Sequence, residues 1–307
     1  MHDGTYKELD KHLKKVIKPT TEQPWAEFEF NDVLNFKDFG DFLRIISNIK
    51  TLDEHMSPIL FRGQGYFEWG LVPTLYRLLK DFDKKDALYL EYDSITHFKR
   101  KARGLLDLRL IPKEHEIGEW LGLMQHYGAP TRMLDWTTSC VVALYFAVTE
   151  EPSKKGCLWF FDSYFMNSCM MEKYCFPSEE EFVLIVKDKD HFVEFGIENT
   201  TNNARTYVID RQSERAISQQ SVFTFSYNLF CDHSRAIGEI YLKNSKVDHS
   251  ESFPFGRILL SPKQKKEIRE YLNKINVTAA TLFPGVEGIG RSIHEMISIT
   301  KEIKLSK

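Results

Sequence analysis

The chain lacks most of the short signatures that assign a chemistry on sight. Its five cysteines, at positions 140, 157, 169, 175 and 231 of 307 residues, form no Cys-x-x-Cys pair, and no histidines accompany them at zinc spacing. They read as free thiols in a reducing cytoplasm. The longest apolar run, Cys140 to Val148, is too short for the roughly 20 residues of a membrane-crossing helix. The start, Met1-His2-Asp3-Gly4, has no apolar run behind a basic one, so no signal peptide is expected. Gly-x-Ser-x-Gly and Walker loops are missing, and Arg62-Gly63-Gln64-Gly65 lacks the third glycine of a dinucleotide fingerprint. Positive charge is not in excess: 41 Lys and Arg stand against 44 Asp and Glu, a net charge of −3. That argues against holding duplex nucleic acid by bulk charge, while leaving room for a local basic site.

What is present is an ordinary globular composition, 42% hydrophobic and 28% charged. Residues 1–30 are polar, broken by Pro19 and Pro24, and read as an extension before a single domain over 31–307. Apolar spacing predicts helices over 35–50, 73–79, 84–103 and 114–127, the last ended by Gly128 and Pro130. A strand is expected at 58–65, running into a glycine-flanked turn, and a short extended segment at 132–136. Thr137 or Thr138 then caps a buried helix over 139–148. The second half carries short β-branched and aromatic runs at 157–162, 182–186, 206–209, 222–227, 237–242 and 257–260, read as strands. Polar connectors are expected at 163–180 and 187–204, and helices at 262–275 and 289–301. Helices concentrated in the first half and strands in the second predict an α+β fold with a mixed or antiparallel sheet.

Two stretches carry chemistry. In Phe61-Arg62-Gly63-Gln64-Gly65, an arginine at a strand end can grip two phosphate oxygens, and glycine allows close backbone approach; a surface arginine in a tight turn reads equally from these residues. The segment from Gln125 to Ser139 packs His126, Arg132, Asp135, Thr137, Thr138 and Ser139 between two apolar helices. Polar groups entering a core need partners. Arg132 and Asp135 can therefore pair with each other or with backbone while the hydroxyls cap a helix, or the group can floor a cleft whose helix N–H groups hold an anion or ribose. His126 reads first as a structural hydrogen-bonding group. Trp69, Trp136, Tyr145 and Phe146 read as core. The other histidines are scattered and support no metal site.

These residues resemble the FRG domain family. Phe61-Arg62-Gly63-Gln64, Trp69-x-Leu71-x-Pro73-Thr74-Leu75-x-Arg77 and the 125–139 segment with Ala143-Leu144-Tyr145-Phe146-Ala147 carry the likeness. Arg215 with Gln219-Gln220-x-x-Phe223, and Leu282-Phe283-Pro284-Gly285 with Gly288, extend it over about residues 35–300. A weaker resemblance is to ADP-ribosyltransferases of the Arg–Ser–Glu class. Phe61-Arg62-Gly63 is similar to their first element, Thr137-Thr138-Ser139 with Ala143 and Phe146-Ala147 to their second, and Gln219-Gln220 stands in the place of the third. That resemblance implies an ADP-ribosyltransferase-like core with NAD as substrate. Arg62, Gly63 and Gln64 would serve the phosphates, and His126, Arg132, Asp135, Thr137, Thr138 and Ser139 would shape the ribose and nicotinamide pocket. The acceptor would be a protein, a nucleic acid or a small molecule, and the role that of a toxin or phage-defence effector.

Gln220 stands where that class has Glu, and an amide supplies neither charge nor a base. Three options follow: Gln220 suffices, Glu214 is recruited from upstream, or the site binds NAD-like ligands without turnover. A non-catalytic module for a nucleotide, an NAD derivative or a nucleic-acid end is therefore the alternative. A metal-dependent hydrolase or nuclease built on Glu119, His126 and Asp135 is the third reading.

Overall fold

A computed structural model describes residues 13–17, 19–30, 59–163, 166, 188–244 and 255–305. The expected helix at 35–50, the strand at 182–186 and most of the 163–180 connector lie outside these residues.

Eight strands form one mixed sheet: β1 (Leu13–Ile17), β2 (Ala26–Phe30), β3 (Ile59–Gln64), β4 (Leu134–Thr137), β5 (Gly156–Asp162), β6 (Arg205–Tyr207), β7 (Ser221–Phe225) and β8 (Phe255–Leu260). Their order is β1-β2-β8-β5-β3-β4-β7-β6. The β2–β8 pair is parallel, and every other pair is antiparallel. This is the expected α+β class with a mixed sheet. The polar start contributes more than an extension, because β1 and β2 add an edge hairpin to the sheet.

Ten α-helices are described: α1 (Thr74–Leu79), α2 (Lys84–Ala102), α3 (Ile117–His126), α4 (Cys140–Thr149), α5 (Lys189–Glu198), α6 (Glu214–Ser218), α7 (His233–Asn244), α8 (Pro262–Lys274), α9 (Ala279–Leu282) and α10 (Val286–Leu305). Two correct the sequence reading. The run at 237–242 is helical, within α7. Its apolar residues Ala236, Ile237, Ile240 and Tyr241 are buried at helical spacing against Trp136, Trp159 and Phe161 on the sheet. Asp232 supports the start of α7, accepting from the N–H groups of Ser234 (2.9 Å) and Arg235 (3.3 Å). The 187–204 connector contains α5, whose N-cap Asp188 accepts from Asp190 and His191 N–H. Side-chain packing outweighed β-branched propensity in α7, and a cap within a polar stretch was missed in α5.

The two faces of the sheet are covered differently. On one, α7 closes over Leu60, Leu134, Trp136, Trp159 and Phe161. On the other, α4, α8 and α9 pack on Phe61, Leu158 and Ile258, while α1, α2, α3 and α5 pack around Phe223 and Phe225. Between these two helical groups, above β3, β4 and β7, the sheet carries a cleft.

Candidate functional site

The cleft begins with a weak point in the sheet. β3 pairs with β5 over six residues, yet meets β4 only at Phe61–Thr137. Such a short ladder leaves β4 carbonyls in need of donors. Arg62 supplies one: its Nη1 donates to the carbonyl oxygen of Asp135 at 2.6 Å and lies 3.7 Å from the Asp135 carboxylate. Its Nε is buried without a hydrogen-bond partner. The Arg62 side chain as a whole is 20% exposed.

The glycine after it has a different task from the one the sequence assigns. A Cβ on Gly63 would lie 1.8 Å from the carbonyl oxygen of Ala143. Gly63 therefore lets the backbone of α4 approach β3, rather than a phosphate. Gln64 is buried on the opposite face, donating to Gly70 O at 2.6 Å and accepting from Trp159 Nε1 at 2.8 Å. The turn that follows is pinned by the buried Lys265, whose Nζ donates to Gly65 O (2.8 Å), Glu150 O (2.7 Å) and Glu151 O (2.7 Å). Burial lowers the Lys265 pKa to about 8.

A cavity of about 290 Å³ opens on this spot. Its walls include Arg62 and Gly63 from β3, Asp135 and Thr137 from β4, Gln125 and His126 from α3, Phe146 from α4, Arg211 and Ser213 from the loop before α6, Arg215 from α6 and Gln219 just after it. Three sequence-distant stretches thus do meet, and they bring Arg62, Gly63, His126, Asp135 and Thr137 together. Gln125 Nε2 donates to Asp135 Oδ2 at 2.7 Å, and its amide oxygen accepts from Thr131. Asp135 is the most open of these groups, 56% exposed. Phe146, which is partly exposed, supplies apolar wall, and the buried Phe223 also borders the cavity.

The other proposed residues are elsewhere. Arg132 points away, beneath α2, in a bidentate pair with Glu91 (Nε–Oε1 2.6 Å); it pairs with neither Asp135 nor the cleft. Thr138 Oγ1 donates to the Gln220 side chain at 2.8 Å, and neither residue lines the cavity. Gln220 occupies a left-handed turn position, φ 48°. Ser139 is the N-cap of α4 but makes no side-chain cap bond; its own N–H donates to Thr137 Oγ1 at 3.0 Å. Glu214 opens α6, is exposed, and is not among the lining residues. Of the four aromatics read as core, Trp69 is 41% exposed and Phe146 is partly exposed on the cavity wall, whereas Trp136 and Tyr145 are buried.

The sequence reading gives no site role to three further groups on the cavity wall, and names Arg215 only within the family likeness. Arg215 stacks on Phe283, guanidinium carbon 4.6 Å from the ring centre, and its pKa is lowered by burial. Arg211 pairs with Glu116 at 2.6 Å. Ser213 Oγ lies 3.2 Å from His126 Nδ1. All three come from a polar loop and a five-residue helix with no apolar period to flag them. Glu119 also faces the cavity but is engaged, accepting from Asp210 N–H (2.9 Å) and Arg211 N–H (3.2 Å). Among the described residues no group of three or more His, Cys, Asp or Glu is placed to hold a metal ion, and no helix is long and apolar enough to cross a membrane.

Residues 57–156 match the FRG domain. The matched stretch runs from β3 through α4 to the start of β5, so it contains one wall of the cleft. The opposite wall, with Arg211, Ser213 and Arg215, comes from beyond it. No curated protein and no solved structure matches the chain.

Proposed function

We propose that the cleft binds NAD or a related ADP-ribose-bearing nucleotide and promotes cleavage of the bond between nicotinamide and ribose, as in ADP-ribosyltransferases. The observation that carries this is the meeting of Arg62, Arg211 and Arg215 in one cavity, with the Arg62 Nε–H buried and unpartnered. Guanidinium groups in a partly buried site favour phosphate oxygens through charge-assisted, bidentate bonds. A cavity of about 290 Å³ lies near the lower end of ligand pockets, so it takes one half of a dinucleotide and the remainder extends from the open mouth. Phe146 offers apolar surface to a ring, and Asp135 offers a carboxylate to ribose hydroxyls or to the positive charge that grows on the ribose as the bond breaks.

Gln220 takes no part in this arrangement, since its side chain is held by Thr138 outside the cavity. The same observation favours a second reading, a nucleotide-binding module without turnover. A toxin or phage-defence role, and a protein or nucleic-acid acceptor, are compatible with the first. Incubating the purified protein with NAD and following nicotinamide release separates the two. Release that disappears in Arg62→Ala supports transfer chemistry at this site; release unchanged by that substitution removes the site. Thermal stabilisation by ADP-ribose without release supports the binding module.

A further inference from the structure

His126 is the one group lining the cavity that combines a titration range near neutrality with a fixed ring and an unoccupied nitrogen. Its Nδ1 lies 3.2 Å from Ser213 Oγ, and that oxygen is itself held as the helix cap of α6 by Ala216 N–H at 3.2 Å. Arg215 Nη1 donates to the His126 carbonyl at 3.5 Å, and the ring meets Tyr127 edge-on at 4.7 Å. No bond from Nε2 is seen among the described residues. The two cavity carboxylates nearest in role are both engaged: Glu119 by two backbone N–H groups, Asp135 by Gln125 and Arg62.

We propose that His126 is the proton acceptor of this cleft, taking the proton of a hydroxyl nucleophile through Nε2 while Ser213 accepts from Nδ1–H and fixes the ring. This rests on the NAD reading above and adds the class of acceptor. As the acceptor oxygen bonds to C1′ of the ribose, the bond from C1′ to the nicotinamide nitrogen breaks. Its electron pair stays on that nitrogen, nicotinamide leaves neutral, and the hydroxyl proton passes to His126. Burial first, and then the Arg215 charge, lower the His126 pKa, with Glu287 acting in the other direction; the ring is therefore neutral at pH 7. Arg62, Arg211, Asp135, Glu119 and Glu150 are the other charged groups on the cavity wall. A neutral imidazole assists a hydroxyl but cannot deprotonate a guanidinium. A hydroxyl acceptor, water included, is the class that fits.

The test uses the full chain with His126→Asn, which keeps a side-chain N–H to reach Ser213. Nicotinamide release and O-methyl-ADP-ribose formation are followed against pH with NAD and methanol, with agmatine as a guanidinium acceptor, and ADP-ribose binding is measured alongside. The expected result for wild type is a rate that rises with pH through a single inflection lying below the ordinary histidine value and then levels off, methanol being used and agmatine not. His126→Asn should lose about 10²–10⁴-fold in rate, lose the pH inflection, and bind ADP-ribose within threefold of wild type. Turnover by His126→Asn within threefold of wild type, or preference for agmatine, overturns the assignment. Wild-type protein that binds ADP-ribose but releases no nicotinamide at any pH also overturns it, leaving the ligand reading standing. Failure to bind ADP-ribose at all overturns both.

Discussion

Two arginines, each prominent in the sequence, sit in opposite circumstances. Arg132 is 6% exposed and held within the protein: Glu91 takes two of its nitrogens, and Tyr227 O accepts from Nη1 at 2.6 Å. Arg62 is 20% exposed, with one backbone acceptor, a carboxylate at 3.7 Å and an unpartnered Nε. The first is buried away from the cleft with its charge met by Glu91. The second lines a cavity shared with two further arginines. A guanidinium becomes a binding group through what the fold leaves unsatisfied, and residue type alone does not reveal that.

The contrast can be broken most forcefully at Arg132. Arg132→Ala leaves the Glu91 carboxylate buried without its partner, and about 3–5 kcal/mol of stability should vanish in urea unfolding. Loss under 1 kcal/mol would mean that the pair is not formed as described. Beneath the Arg62 region, His233 is fully buried beside Thr224 (2.8 Å), its pKa pushed down to about 3 by burial and then by the Arg62 charge. Its folded value lies below the unfolded one, so the unfolded chain binds the extra proton. Stability is full above pH 6.5 and declines as pH falls towards 3, by about 1.4 kcal/mol per pH unit. Chemical denaturation at several pH values should show that slope, reduced by about one proton in His233→Asn. Gly63→Ala should cost about 1–3 kcal/mol, because the new methyl meets the backbone of α4; an unchanged melting curve would rule out that close approach. Gln220→Gly should gain up to about 1 kcal/mol by removing a side chain at positive φ, offset in part by the lost Thr138 bond. It should leave nicotinamide release unaltered, and a large fall in that release would return Gln220 to the site.

Much of this plan was legible in the chain. Gly128, with φ 83°, ends α3 where expected, and Pro262 follows a Ser261 capping box that starts α8. The 125–139 segment does deliver His126, Asp135 and Thr137 to one cavity. Other features were hidden for physical reasons. A helix whose apolar face is made of Ile and Tyr looks like a strand until its partner sheet is known, as α7 shows. Gly63 reads as a ligand glycine because sequence does not reveal which backbone comes near it. Arg132 and Arg62 differ only in partners 41 and 73 residues away along the chain. On the far wall, Arg211 and Ser213 were missed because loop geometry without periodicity sets them, while Arg215 was named only within the family likeness.

Calorimetric titration of ADP-ribose into wild-type protein and Arg62→Ala tests the central claim most directly. The expected result is saturable one-site binding by wild type, weakened at least tenfold in Arg62→Ala while the variant's unfolding curve stays near that of wild type. Equal binding by the two proteins, or no heat from wild type at millimolar nucleotide, would contradict it.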